Sequence, residues 1–119
     1  MPPRETHMQP HIVYITAKDR EEAVTIGKTL VDEQLAACAN VLDGATSLYR
    51  WQGEVHEDAE AVVFCKTRAS LVDTVIARVK DLHSYECPCV VSWPIENGSA
   101  EYLAWLKSET EGGASTLDE

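Results

Sequence analysis

The sequence predicts an α+β domain of the ferredoxin-like class, a split βαβ sandwich (βαββαβ) with an extra C-terminal helix. Three observations predict it: six elements follow the order β-α-β-β-α-β, a further helix comes last, and the fourth strand segment contains Pro88 and Pro94. In this topology the first and third strands are central and the other two lie at the edges. Proline lacks the N–H that an inner strand must donate, so its position in the fourth segment agrees with an edge.

The first strand and the first helix occupy the beginning of the domain. Residues 11–17 are β-branched and nearly all apolar, as in a central strand. Asp19 is predicted to cap a helix that ends near Leu35, with Glu22 at the third position completing a capping box. The apolar stripe that we expect on its inner face comprises Ala23, Ile26, Gly27, Leu30 and Val31.

A long hairpin follows the first helix. Residues 37–51 and 54–67 are predicted to be strands around the turn signal Gln52-Gly53, and Gly44 is predicted to mark a bulge or bend. A straight strand over 37–51 would run about 50 Å at about 3.3 Å per residue, whereas a compact domain of this length is roughly 35 Å across. The hairpin should therefore bend sharply, or project and pack on something else.

The second helix and two short elements complete the domain. Ser70 is predicted to cap the second helix, with Asp73 at the third position. A last strand is predicted from residue 88 to about 95, and Ser99 starts a short helix through Leu106. The apolar face of the second helix comprises Leu71, Val72, Val75, Ile76, Val79 and Leu82.

Length, charge and cysteine usage limit the class of protein. The 119 residues, 45% of them hydrophobic, predict one domain over 11–111 between disordered tails at 1–10 and 112–119. A formal net charge of −10 without a basic stripe argues against nucleic acid as a partner. The absence of a signal segment or a membrane-spanning apolar run predicts a cytoplasmic protein without a membrane partner. Four cysteines are too few for a disulfide framework and suit a reducing compartment.

The strand patterns predict an oligomer. Both helices of this fold cover the same face of the sheet, yet segments 62–65 and 89–91 are apolar on both faces. Burial of the second face requires partner subunits.

One short segment, residues 83–89, carries the candidate metal ligands His83, Glu86, Cys87 and Cys89. Pro88 favours extended backbone, so the two thiols should face one way with their Cα atoms roughly 6 to 7 Å apart. Glu86 would then point to the opposite side, which argues against all four ligands joining within one subunit. In the alternative interpretation the cysteines pack on an edge strand and His83 ends the second helix, where the helix dipole favours it.

Several segments together resemble the family of the divalent-cation tolerance protein CutA. They are LAACANV at 35–41, SLYRWQG at 47–53, KT at 66–67, HSYECP at 83–88, PIENG at 94–98 and YLAWL at 102–106. The resemblance extends over residues 12–107. It implies an interlocked homotrimer of ferredoxin-like subunits that binds copper or other divalent cations and acts in metal tolerance.

The chain departs from the family pattern where that metal chemistry is expected. The family often has a Cys at the position of Ile15 and usually a Glu at the position of Cys89, while the His83 position is retained. Sulfur in place of a carboxylate oxygen would favour Cu(I) or Zn(II) over Mg(II) or Ca(II).

A second candidate site consists of Tyr49, Trp51, Glu60, Lys66 and Tyr85, which the resemblance places near grooves between subunits. One interpretation is packing and ion pairing between subunits. The other is a pocket for a small anionic metabolite, with Lys66 supplying the charge and an aromatic ring the stacking face, by analogy with PII-type regulatory trimers.

The remaining chemistry-bearing residues indicate no reaction. Cys38 and Cys65 lie in apolar strand segments and are interpreted as small core residues. The sequence shows no nucleophile with an identifiable base and no glycine-rich phosphate loop, so we predict a protein that is not an enzyme.

Overall fold

The computed structural model describes residues 8–113, and they form the predicted α+β ferredoxin-like domain. The four strands make one antiparallel sheet in the order β2-β3-β1-β4, with β1 and β3 in the centre. The elements are β1 Pro10–Ala17, α1 Arg20–Asp32, β2 Cys38–Trp51, β3 Glu54–Arg68, α2 Ala69–Leu82, β4 Val90–Pro94 and α3 Ala100–Glu109. Predictions for residues 1–7 and 114–119 lie outside the described residues. Within 8–113, none of the helices combines the length and apolarity that crossing a membrane requires.

The hydrophobic core lies between the sheet and helices α1 and α2. Val13 and Ile15 of β1 and Val63 and Cys65 of β3 point to this side and are fully buried, because alternate residues of a strand share a face. Gly27 brings α1 close to β2, since a Cβ atom there would lie 3.0 Å from the Cβ of Ala39. The helices add apolar side chains that are also fully buried, namely Ala23, Ile26, Leu30, Leu71, Val75 and Val79.

Two of the three predicted helix caps are confirmed. The Asp19 carboxylate accepts a hydrogen bond from the backbone N–H of Glu22 at 2.9 Å, and the Ser99 hydroxyl accepts one from that of Tyr102 at 3.4 Å. The prediction for Ser70 is wrong: α2 begins at Ala69, and Ser70 is buried in its first turn. Strand β3 runs directly into α2, so its last residue, Arg68, occupies the N-cap position, and the Arg68 side chain makes no capping hydrogen bond.

The end of α1 also differs from the prediction. The helix stops at Asp32 rather than near Leu35, because Gln34 takes a left-handed conformation with φ of 60°. The N–H groups of Gln34 and Leu35 then turn back to the carbonyls of Val31 and Leu30, which is a Schellman motif. Val31 lies in this last turn and is 38% exposed, so its assignment to the buried stripe is wrong.

The hairpin of β2 and β3 projects from the domain, which measures 45 × 28 × 28 Å. Its turn is the predicted one, with positive φ at both Gln52 and Gly53. The predicted bulge lies at Gly44, whose φ is 79°, and the register shifts between Leu42 and Ala45. This extra residue reverses the alternation of side chains, so that odd-numbered residues of β2 beyond it share a face with even-numbered ones before it.

The sheet face opposite α1 and α2 is apolar and only partly covered, as predicted. Val91 is 51% exposed and Trp93 is 42% exposed. The Trp93 ring lies 6.5 Å from that of Tyr14, which makes an edge contact with Phe64 at 5.4 Å. We call this surface the open face, comprising Tyr14, Leu42, Phe64, Val91 and Trp93.

Candidate metal and ligand site

A cleft of about 590 Å³ lies between the projecting hairpin and the segment that follows α2. Aromatic rings, carboxylates and two thiols share its walls. We call it the acidic cleft, and its lining residues are Tyr14, Thr16, Ser47, Tyr49, Trp51, Asp58, Glu60, Tyr85, Glu86, Cys87 and Cys89. It therefore contains seven of the nine site residues that the sequence predicts.

Strand alternation places most of these side chains in the acidic cleft. Asp58 and Glu60 are two residues apart on β3 and point to the same side. Tyr49 and Ser47 lie opposite His56 and Asp58 in the ladder, on the side to which the bulge at Gly44 has turned them. If the side chains of β2 alternated without the bulge, Ser47 and Tyr49 would lie on the opposite face of the sheet.

The acidic cleft carries the negative charges of the Asp58, Glu60 and Glu86 carboxylates. The Tyr85 hydroxyl donates to Glu60 at 2.7 Å, and the Tyr49 hydroxyl donates to Asp58. Burial, and then the hydrogen bond to Glu60 and its charge, raise the pKa of Tyr85. The bond to Asp58 is the main cause that raises the pKa of Tyr49, and burial followed by the charge of Glu60 raises the pKa of Cys89. The charge of Glu60 contributes to all three shifts, so the carboxylates of the acidic cleft favour a bound cation over an anion.

His83 is buried and does not line the acidic cleft. It ends α2 as its C-cap residue, as one of the two interpretations predicted. The other part of that interpretation is wrong, because Cys87 and Cys89 precede the edge strand, which begins at Val90. Its Nε2 lies 2.7 Å from the carbonyl oxygen of Thr16, and its Nδ1 accepts the backbone N–H of Tyr85 at 3.1 Å. This network assigns the tautomer with the proton on Nε2, so both ring nitrogens are engaged. The imidazole therefore ties the segment after α2 to strand β1.

The other three predicted metal ligands do share the acidic cleft. Cys87 and Cys89 are exposed free thiols, and Glu86 lines the same space, because residues 84–87 bend instead of continuing as a strand. The extended backbone on which the expected opposite orientation of Glu86 depended is therefore not present. Across residues 8–113 the structure assembles no group of three or more His, Cys, Asp or Glu side chains arranged to hold a metal ion. The complete ligand set thus stays a prediction.

Lys66 is separated from the rest of the second predicted set. It lies six residues beyond Glu60 on β3, which corresponds to about 20 Å at about 3.3 Å per residue. Its ammonium group donates to Asn40 Oδ1 at 3.0 Å and to Cys38 Sγ at 3.7 Å. Cys38 is half-buried and also contacts the Tyr102 hydroxyl at 3.3 Å, so its interpretation as a core residue is wrong. Cys65 is fully buried, as predicted.

Sequence reasoning missed four lining residues of the acidic cleft. Asp58 was recognisable, since it lies two residues before Glu60 on a strand. Tyr14 and Thr16 alternate with the core residues of β1, which also indicated their face. Ser47 carried no such signal, because the bulge interrupts the alternation of β2.

Glu22 joins the start of α1 to the segment that carries the thiols. Its carboxylate accepts the backbone N–H of Lys18 at 2.9 Å and that of Ser84 at 2.7 Å. Burial alone would raise the pKa of Glu22, but these hydrogen bonds outweigh it and hold the pKa below its ordinary 4.5. A lowered carboxyl pKa contributes stability above the unfolded-state value, and this contribution is lost as the pH falls through the folded-state value.

Glu22→Gln is therefore expected to lower the free energy of unfolding at pH 7 by about 1.5–3 kcal/mol, the usual range for hydrogen bonds to a charged group. The difference from the unsubstituted protein should shrink as the pH falls from 5 to 3. Urea denaturation at several pH values measures both. Glu21→Gln, in the same helical turn but exposed, is the control and should change stability little. A constant difference across the pH range would contradict the assignment.

Comparison with known proteins assigns the family. The model of the CutA1 divalent ion tolerance protein family matches residues 11–109. The chain belongs to the CutA family. The divalent-cation tolerance protein CutA of Thermus thermophilus is 48% identical over 99 residues, which cover 83% of this chain and 96% of that protein.

A CutA protein of a plant matches the same share of the chain at lower identity. The chloroplastic protein CutA 1 of rice (Oryza sativa) is 40% identical over 99 residues, covering 83% of this chain and 56% of the rice protein. The chain thus spans little more than half of that relative's length. The crystal structure of CutA1 from Oryza sativa superposes with a TM-score of 0.85 at 39% identity, covering 89% of this chain and 97% of that one.

Proposed function

We propose that this CutA-family chain forms a cytoplasmic homotrimer that binds copper or zinc at the acidic cleft and acts in the response to metal ions. One observation carries the proposal: Cys87 and Cys89 are both exposed and open, with Glu86, into a cleft of negative potential. Thiolates prefer Cu(I) and Zn(II), and the surrounding carboxylates attract a cation. The free thiols fit a reducing compartment such as the cytoplasm.

The thiols of Cys87 and Cys89 and the carboxylate of Glu86 supply part of the ligand set that a soft cation needs. Two thiolates suit Cu(I), which accepts a low coordination number, while Zn(II) would take Glu86 and one more ligand. His83 is not that ligand in this arrangement, because its two nitrogens bond Thr16 and Tyr85. We expect a neighbouring subunit or water to complete the zinc coordination.

The open face supports a homotrimer. Val91, Trp93 and Leu42 expose large apolar surfaces on one side of the sheet, whereas α1 and α2 cover the other side. Contiguous apolar surface of this kind is typical of a subunit interface. The number of three subunits comes from the family resemblance. The open face of this chain supports only the need for partner subunits.

Binding rather than catalysis is the role that the acidic cleft supports. Burial and the hydrogen bond to Glu60 raise the pKa of Tyr85, so its hydroxyl stays protonated at neutral pH and is not a ready nucleophile. A small anionic metabolite gains no support either. The carboxylates of Asp58, Glu60 and Glu86 would repel it, and Lys66 lies at the far end of β3.

Calorimetric titration of the reduced protein with Cu(I) or Zn(II) tests the proposal. We expect binding by the unsubstituted protein and a loss of affinity of at least about 100-fold in Cys87→Ser/Cys89→Ser, since removal of even outer partners of metal ligands costs about 10- to 100-fold. Cys38→Ser is the matched control and should bind as before. The absence of uptake by the reduced protein would contradict metal binding, and unchanged uptake by the double variant would refute this site.

A further inference from the structure

We propose that the acidic cleft also binds an organic ammonium ion, held between aromatic rings and carboxylates. The proposal concerns the walls that β1, β2 and β3 contribute, and it goes beyond metal binding because it requires neither thiol. The feature behind it is the combination of Tyr49, Trp51 and Tyr85 with Asp58 and Glu60 around one open space.

Within a single subunit, the aromatic side chains leave surface open to a cation. Trp51 is 60% exposed and Tyr49 is 45% exposed in the single chain, although both line the acidic cleft. Tyr49 is held in place by stacking on His56, with ring centroids 5.4 Å apart, and by its hydrogen bond to Asp58. An ammonium group over such a ring is attracted by the negative face of its π-system, most strongly for Trp.

The carboxylates give the acidic cleft its selectivity for charge. Each of Asp58 and Glu60 accepts one tyrosine hydroxyl, and a carboxylate has about four acceptor sites, so both keep capacity for an N–H donor or an adjacent positive charge. Among residues 8–113, those that line the acidic cleft include no Lys, Arg or His. An anion or a neutral molecule of the same shape would therefore bind with a much less favourable free energy than a cation.

The size of the acidic cleft indicates an organic ligand in addition to a bare ion. About 590 Å³ falls within the range of roughly 300–1,000 Å³ that small-molecule sites occupy. A metal at Cys87 and Cys89 would occupy a small part of this volume. The wall formed by Tyr49 and Trp51 has no ligand role toward such a metal, since neither side chain is a usual metal ligand.

Ligand-observed NMR and calorimetry with choline, and with its neutral isostere 3,3-dimethylbutan-1-ol, test the proposal on the full chain without added metal. We expect choline to bind at least about 10-fold more tightly than the alcohol. Glu60→Gln and Trp51→Leu should each weaken choline binding by about 5- to 30-fold, which corresponds to the loss of one cation–π or charge contact at a partly desolvated site. Equal binding of the two probes, or no binding of choline, would overturn the proposal.

Matched controls separate the acidic cleft from the general negative charge of the chain. Glu57→Gln removes a neighbouring carboxylate of β3 that does not line the cleft, and Trp105→Leu removes an exposed Trp of α3. Both should bind choline as the unsubstituted protein does, and equal weakening by Glu57→Gln would refute a specific site. If Trp51→Leu does not fold, Glu60→Gln and Asp58→Asn decide the result. Cys87→Ser/Cys89→Ser should keep choline binding while losing metal, so this inference and the proposed function can fail separately.

Discussion

Val91→Asp/Trp93→Asp is expected to convert the proposed homotrimer into a monomer at micromolar concentration. Both side chains stand on the open face, beside Tyr14 and Phe64, where a neighbouring subunit would cover them. Burial of each stabilises an interface by roughly 1.5–3 kcal/mol. The substitution removes this gain in every subunit and adds carboxylates that would have to be buried without a partner. Sedimentation equilibrium or light scattering measures the change in mass.

Val24→Asp is the matched control for this experiment. Val24 is also a partly exposed valine, but it lies on α1, on the side of the sheet away from the open face. This variant should keep the mass of the unsubstituted protein. A trimeric Val91→Asp/Trp93→Asp variant would show that another surface forms the interface.

His83→Ala is expected to lower the free energy of unfolding by about 2–5 kcal/mol, the range for large-to-small substitutions in a core. The variant loses a buried ring that packs 4.7 Å from Tyr85 and leaves the carbonyl of Thr16 without its donor. Because the same ring accepts the N–H of Tyr85, we also expect the segment that carries Cys87 and Cys89 to loosen. Urea denaturation measures the stability, and hydrogen exchange at residues 84–89 measures the loosening.

His56→Ala gives the comparison for His83→Ala. His56 is half-buried on the projecting hairpin and stacks on Tyr49 without joining the core, so its removal should cost about 1 kcal/mol or less. If His83→Ala were as mild as His56→Ala, the positioning role of His83 would be refuted. His83 would then be available as a metal ligand, as the sequence first suggested.

The fold could be predicted because its signals are local and redundant. Asp19 and Ser99 cap helices by direct bonds to the nearby backbone, and Gln52-Gly53 supplies the two positive φ values that a tight turn requires. The uncovered face was also predictable, since strand alternation indicates it. Ser70 shows the limit of such reasoning: its pattern matched a capping box, but the preceding strand continues up to the helix and the N-cap position falls on Arg68.

The candidate site was less predictable because it depends on tertiary contacts. The burial of His83 depends on the carbonyl of Thr16, which is 67 residues away in the chain. Residues 84–87 bend and Glu86 lines the same cleft as Cys87, which an extended segment could not anticipate. The separation of Lys66 from Glu60, in contrast, could be read from the sequence, because both lie on the strand predicted over 54–67 and are six residues apart.

X-ray absorption at the zinc K-edge of the reduced, zinc-loaded protein tests the central claim most directly, because it identifies the atoms bound to the metal. We predict sulfur neighbours at about 2.3 Å from zinc, the usual Zn–S distance, contributed by Cys87 and Cys89. The same shell should disappear in Cys87→Ser/Cys89→Ser. A first shell of nitrogen and oxygen alone at about 2.0–2.1 Å in the unsubstituted protein would contradict the assignment of the metal to these thiols.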